Sequence, residues 1–300
     1  MGRPVPHAQW AAGAGMVGRM ATRMLALLDG SLVDPSTPIV RADDDGVVRG
    51  DGVFDALLAA NGIARDLDEH LGRLADSAKI LALPAPDEAG YRRAVDAVLQ
   101  AWDWQAEPEA VLRLIQTRGP AGGQGNGYVL AAPLDAATRR ERYEGVRVLL
   151  LDRGFEGNGI VDLPWLLPGA KSLSYGINMA AKRYAIANGA DDVIFVTPSG
   201  AILEGPTSSV VLDLDGVLHT PPLDGILRSI TIAELLEKAP AAGLEVKVGA
   251  LTVDDLWRAR GAWLLSSGRL IASVNEADGK PLPASPLDGA LRRILDVPEA

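Results

Sequence analysis

The period of the apolar residues changes near residue 68, and that change excludes any fold made only of helices or only of strands. Val53 to Ala60 is an apolar run closed by an Asn61-Gly62 turn, and Ile63 to Leu67 reads as its hairpin partner. From Asp68 the spacing is different. Leu71, Leu74, Ala78 and Leu81 fall at i, i+3, i+7 and i+10, one face of a helix with Asp68 as its N-cap. Pro84 and Pro86 end that helix.

The same mixture recurs along the chain. Met24 to Leu32 reads as a strand, a turn at Asp29-Gly30 and a return, and residues 87–102 as a second helix. Val111 to Thr117 and Tyr128 to Ala132 are strands around a glycine-rich loop, Gly119 to Gly127. Residues 136–145, polar and rich in Arg, are expected to link two domains, 24–135 and 146–300. In the second, strands are expected at Val146–Leu151, Val193–Val196, Ile202–Glu204, Val210–Leu214, Val217–His219, Glu245–Val248, Trp263–Ser266 and Leu270–Val274. Helices are expected at Tyr175–Asn188, stopped by Gly189, and at about Ser229–Lys238. Two domains of class α+β or α/β follow. Residues 1–23 are expected to be a disordered extension or a mis-assigned start, with Met16, Met20 and Met24 as candidate first residues.

Composition removes several functions. There are no cysteines, so disulfides, thiolate metal sites and a cysteine nucleophile are excluded. His7, His70 and His219 lie far apart, so no histidine metal centre is expected. The net charge of −10 argues against nucleic acid as a partner. No apolar run reaches the roughly 18–20 residues that span a bilayer. A cytoplasmic protein fits these facts.

A few residues can carry chemistry. Lys171 follows Pro168-Gly169-Ala170 and opens a helix of small and apolar residues; burial there would free its neutral amine for Schiff-base work. The competing reading is a surface lysine on a loop. Glu204 ends an apolar strand beside Gly205-Pro206-Thr207, where a carboxylate either points into a cleft or meets solvent. Gly225 to Thr231 leads into a helix whose N-terminus, with Ser229 and Thr231, suits a phosphate, or is simply capped by Ser229. Arg73 lies between Leu71 and Leu74 and either binds a phosphate or pairs with Glu69. The loop GPAGGQGNG does not open a helix, so a dinucleotide site is rejected.

The order and spacing of these segments resemble the fold-type IV enzymes of pyridoxal 5′-phosphate (PLP), which include branched-chain aminotransferases, D-amino acid aminotransferases and aminodeoxychorismate lyases. The resemblance covers roughly residues 25–275. It rests on GDGVFDALLAANG at 50–62, EHLGRLADSAKILALP at 69–84, KSLSYGINMAAKRYAIANGADDVIF at 171–195, GAILEGPTSSVVL at 200–212 and LHTPPLDGILRSIT at 218–231. It implies a two-domain fold and a homodimer. It also implies PLP held by Lys171, with Arg73, Ser229, Ile230, Thr231 and Ser267 at the phosphate (Ser266 is the rival of Ser267). Tyr175 would lie beside the cofactor and Glu204 on the pyridine nitrogen.

Arg228 stands where aminotransferases of the family carry proline, and RLIQTRGPAGGQGNGY at 113–128 is similar to the lyases. The resemblance therefore implies a 4-amino-4-deoxychorismate lyase, with Arg113, Arg118 and Arg228 available for substrate carboxylates. A branched-chain or D-amino acid aminotransferase is the first alternative. A cofactor-free interaction protein on the same fold is the second.

Overall fold

A computed structural model of the protein describes residues 23–298. The extension expected over 1–23 lies, except for Arg23, outside the described residues. The first half runs β1 (Met24–Leu27), β2 (Leu32–Val33), α1 (Asp45–Val48), β3 (Gly52–Ala60), β4 (Ile63–Ala64), α2 (Leu67–Ile80), α3 (Glu88–Ala101), β5 (Glu109–Thr117) and β6 (Gly127–Pro133). These strands form one antiparallel sheet in the order β2-β1-β6-β5-β3-β4.

Strand alternation decides what each face of that sheet meets. Val53, Leu57 and Ala59 on β3, with Leu112 and Leu114 on β5, pack under Leu71, Leu74 and Ala78 of α2 and under Tyr91, Ala94, Val95 and Val98 of α3. Leu58 and Val111 look the other way and meet Leu134, just past β6, and Leu270 of the second half. Helix α2 starts two residues earlier than the pattern implied: Asp66 is its N-cap position, and Asp68 sits in the first turn, where its charge suits the helix dipole. The expected partner strand of β3 is shorter than 63–67, pairing only at Ile63 and Ala64.

The stretch read as a linker holds a helix, α4 (Ala136–Glu144), capped by Asp135 through Thr138 N at 2.8 Å. Its composition hid it, because Arg142 on this polar helix is fully buried. The second half then runs β7 (Val146–Asp152), α5 (Gly157–Ile160), α6 (Gly176–Ala187), β8 (Asp192–Val196), β9 (Ser209–Leu214) and β10 (Val217–Thr220). It continues with α7 (Ile230–Lys238), β11 (Val246–Val248), α8 (Val253–Arg258), β12 (Gly261–Ser266), β13 (Leu270–Ala277), β14 (Lys280–Pro281) and α9 (Asp288–Ile294).

A mixed sheet in the order β11-β10-β9-β12-β13-β7-β8 results, with β14 on β13. The pairs β10–β11, β13–β7 and β7–β8 are parallel. One face packs around Val210, Leu212, Leu264 and α8. The other carries α7 and α9 at one end and α6 at the opposite end. Ile202 makes an isolated bridge to Val196 where a strand over 202–204 was expected. No helix among the described residues is long and apolar enough to cross a membrane.

Candidate active site

Strand β3 begins with a glycine because two segments meet there. A Cβ on Gly52 would lie 2.6 Å from the Gln116 carbonyl oxygen and 2.6 Å from Leu173 Cδ1. Residues 171–173 therefore run against the start of β3: Phe54 N donates to Lys171 O at 3.0 Å, and Leu173 N to Gly52 O at 2.8 Å. Lys171 N donates to Ser77 Oγ of α2 at 3.1 Å. The lysine of the second half is thus pinned to a strand and a helix of the first.

Its side chain lies among rings. Nζ is 4.6 Å from the Phe54 ring centroid and 5.3 Å from that of Tyr175. Those rings meet edge to face with centroids 5.3 Å apart. Nζ has no hydrogen bond among the described residues. Burial pushes its pKa down to about 8, with the Arg73 charge acting the same way and Asp55 and Glu204 opposing. A neutral, unengaged amine is within easy reach near neutral pH.

Arg73 projects from α2 toward β3, and its partner is Asp55 rather than Glu69. Nε donates to Asp55 Oδ2 at 2.8 Å, and Nη2 to Oδ1 at 2.6 Å. His70 Nδ1 shares Oδ1 at 2.7 Å. Burial alone would raise the Asp55 pKa, but the Arg73 fork and His70 outweigh it and hold this carboxyl far below its usual range. Arg73 Nη1 donates to Arg228 O at 3.0 Å, which ties α2 to the approach of α7. A guanidinium has five N–H bonds; one on Nη1 and one on Nη2 stay uncommitted among the described residues.

Ser229 caps α7, accepting from Ile232 N at 3.2 Å. The N–H groups of Ile230 and Thr231 head that helix and have no partner inside it. The sheet brings further groups to this end. Ser209 pairs with Leu265, so the turn after β12 stands beside the 204–208 segment. In that turn Ser266 Oγ accepts from Arg269 N at 3.4 Å, whereas the Ser267 hydroxyl has no partner among the described residues. Ser266 keeps its own O–H to donate while it accepts, so both hydroxyls of the turn can meet a phosphate, Ser267 without any competing partner among the described residues.

Glu204 is held by backbone pairing with Phe195, and its Oε2 accepts from Leu227 N at 3.3 Å. Its other oxygen is unengaged among the described residues. Burial pushes its pKa up to about 7, against the Leu227 N–H and the charges of Lys171, Arg153 and Arg73. Tyr175 donates its hydroxyl to Pro206 O at 2.7 Å, and Asn178 Nδ2 reaches the same carbonyl at 2.8 Å. The mouth of α6 is thereby fixed to the segment that follows Glu204.

The three arginines expected to meet substrate separate cleanly. Arg118 is committed: Nε donates to Asp51 Oδ2 at 2.5 Å and Nη2 to Leu81 O at 2.7 Å, so it staples the end of α2 to the start of β3. Arg228 turns its side chain outward to Asp76, 3.7 Å away, and only its carbonyl faces inward. Arg113 pairs across the sheet with Ala56 and so shares the face of Phe54. Its guanidinium has no hydrogen-bond partner among the described residues. The glycine-rich loop is closed by Asp44, which accepts from Thr117 Oγ1 at 2.7 Å, Asn126 Nδ2 at 3.0 Å and Gly119 N at 3.2 Å.

Asp55, His70 and Phe54 were not picked out as site residues. A signal for Asp55 was present: it falls in the same every-second-residue series as Val53, Leu57 and Ala59, so it is a carboxylate on the buried face of a strand and must be paired.

The donor set suits PLP. A free amine, an enclosed carboxylate with an open oxygen, and a cluster of spare N–H and O–H donors at a helix mouth match its aldehyde, ring nitrogen and phosphate. Comparison with known proteins agrees. A family model described as amino-transferase class IV matches residues 52–277. A Mycobacterium tuberculosis protein named bifunctional aminodeoxychorismate lyase / D-amino acid transaminase is 42% identical over 91% of this chain and 98% of its own. A hypothetical aminotransferase from Mycobacterium tuberculosis, PLP-bound form, superposes with a TM-score of 0.88 at 42% identity, covering 92% of this chain and 98% of that one. A fold IV-transaminase from Curtobacterium pusillum superposes with a TM-score of 0.85 at 37% identity, covering 93% and 100%. The chain belongs to the class IV aminotransferases, the fold-type IV family whose cofactor is pyridoxal 5′-phosphate.

Proposed function

We propose that the protein is a PLP-dependent 4-amino-4-deoxychorismate lyase, releasing pyruvate and p-aminobenzoate for folate synthesis. The observation that carries the reading is the Lys171 amine, its pKa pushed down to about 8 and without a hydrogen bond among the described residues, with Glu204 enclosed in the same site. The choice of lyase is supported by Arg228 in GILR and by the glycine-rich loop. It is supported too by the name of the relative from Mycobacterium tuberculosis.

In this reading Lys171, Tyr175 and Glu204 hold the cofactor ring, and Arg73, Ser229, Ile230, Thr231 and Ser267 hold its phosphate. Bound there, PLP supplies an electron sink next to the carbon that bears the substrate amine. Lys171 Nζ takes the proton from that carbon as a general base and can return it. Glu204 accepts the ring N–H and keeps that nitrogen protonated. Arg113, on the face of Phe54, holds a substrate carboxylate by paired N–H bonds. Asp55 keeps the Arg73 fork rigid, so little reorganisation is needed when a phosphate arrives.

A second reading is favoured by the other half of that relative's name, D-amino acid transaminase. Transamination of a D-amino or branched-chain acid would use the same lysine, arginine and glutamate, and would differ in needing a 2-oxo acid as the second substrate. The proposal includes a homodimer, tested by light scattering of the purified protein, and a cytoplasmic location.

The deciding experiment supplies enzymatically generated 4-amino-4-deoxychorismate to the PLP-loaded protein and follows p-aminobenzoate fluorescence with no oxo acid present. Parallel tubes hold D-alanine or leucine with 2-oxoglutarate. Release of p-aminobenzoate establishes the lyase. Glutamate formation without p-aminobenzoate establishes the transaminase. Absence of visible absorbance after PLP is added rejects both and leaves the cofactor-free interaction protein.

A further inference from the structure

The turn that carries Ser267 is strained, and something outside its own sheet holds it. Leu270, which ends the turn, has φ +68, a left-handed conformation that a leucine rarely adopts. Such a residue persists only where the surroundings over-determine it. Three sets of contacts do so here, all from outside the β12–β13 hairpin, and one of them is the Arg269 guanidinium, which pairs with Glu141 of α4 at 2.8 Å and Asp192 of β8 at 3.0 Å. The Leu270 side chain is buried against Leu58 of β3 and Leu134. The carbonyls of Gly268 and Arg269 accept from Arg142, Nη2 at 3.1 Å and Nε at 3.0 Å.

Arg142 is fully buried, and its remaining arm meets Glu109 Oε1 at 2.8 Å. Glu109 is the first residue of β5, in the sheet of the first half. Arg292 Nη1 fixes the backbone of the same helix by donating to Arg142 O at 2.7 Å. The pair therefore reaches from one sheet to a turn of the other. Both carbonyls are turned toward Arg142 and Ser266 Oγ accepts from Arg269 N, which fixes the turn around Ser267, whose hydroxyl has no partner among the described residues.

We infer that Arg142, held by Glu109, is a positioning residue for cofactor phosphate: it fixes the strained turn so that Ser267 faces the phosphate site. The inference rests on the reading of the site as a PLP site. Arg142 touches no reacting group, so its effect is confined to the phosphate end.

The test compares PLP with pyridoxal, which forms the same bond to lysine but lacks the phosphate. Arg142→Met alone strands the Glu109 charge and risks misfolding, so the main variant is Glu109→Leu/Arg142→Met, which removes both charges. Affinities are read from the visible absorbance of the bound cofactor, and the melting temperature of the apoprotein checks the fold. The double variant is expected to melt near wild type and to bind PLP about tenfold or more weakly, as lost hydrogen bonds to a charged group predict. Its affinity for pyridoxal stays unchanged. Ser267→Ala reproduces that loss, and added to the double variant it costs little more. Equal loss for PLP and pyridoxal, no loss for PLP, or fully additive losses would each overturn the inference. Wild-type protein that binds neither compound overturns the functional reading itself, which separates that failure from this one.

Discussion

Lys171 illustrates how a functional side chain works against stability. Its ordinary pKa of 10.5 is pushed down to about 8, first by burial and then by Arg73. Between those values the unfolded chain binds a proton that the folded chain has released, so stability rises with pH across that window. Below about pH 8 the full cost of burying the charge is present; above the unfolded value it is gone. Lys171→Met should therefore raise the melting temperature of the apoprotein by several degrees at pH 6–7, with the gain fading as pH climbs through that window. Thermal scans at several pH values check it, and a gain independent of pH would contradict the assignment. The same variant should lose all lyase or transaminase activity. Asp55 works in the opposite direction. Asp55→Asn leaves the buried Arg73 without its carboxylate and should cost about 3 kcal/mol of stability. PLP affinity should fall with it, because the uncommitted N–H groups of Arg73 lose their fixed direction. Titration of the apoprotein with PLP reads this directly; unchanged affinity would remove Arg73 from the phosphate site.

Elements were legible in the sequence wherever burial followed a simple period. Helix α2 announced itself because Leu71, Leu74 and Ala78 share its buried face. The N-cap of α7 was legible as well, since Ser229 is a residue type whose side chain competes for backbone N–H groups. Helix α4 was not, because its inward residue is an arginine whose burial depends on Glu109 and on carbonyls more than a hundred positions away. Local patterning treats such a residue as solvated. The partner of Arg73 was missed for the same reason: Glu69 stood at helical spacing, while Asp55 lies on another element and is brought close only by packing of α2 on β3. Close approach of backbones is equally invisible in a pattern of apolar residues. Gly52 shows its consequence. Gly52→Ala would push a methyl against the Gln116 carbonyl and Leu173, and should cost about 1–3 kcal/mol. Since Leu173 N is bonded to Gly52 O, the displacement passes to the Lys171 segment. PLP should then be bound more slowly and more weakly than any change in melting temperature explains. A variant with wild-type PLP kinetics would show that the 171–173 segment does not depend on β3 for its position.

At the scale of the whole molecule, the site belongs to neither half. Phe54, Asp55 and Arg73 come from the first sheet and its helix, while Lys171, Tyr175, Glu204 and the mouth of α7 come from the second half. Direct bonds already cross between them: Arg73 to Arg228 O, Lys171 N to Ser77 Oγ, Arg142 to Glu109, and Arg65 Nη2 to Glu234 at 3.0 Å. A ligand that touches both halves adds to these contacts in the folded state alone. At a PLP concentration a hundredfold above the dissociation constant it should contribute about 2.7 kcal/mol. The distribution of that gain is the sharper prediction. If Arg73 of α2 and the head of α7 hold the phosphate as proposed, PLP should slow amide hydrogen exchange in both helices and in β3, and the two halves should melt as one transition. Exchange slowed only in α7 and around β8 and β9, with α2 unaffected, would mean that Arg73 does not reach the phosphate. The site would then be confined to the second half of the chain.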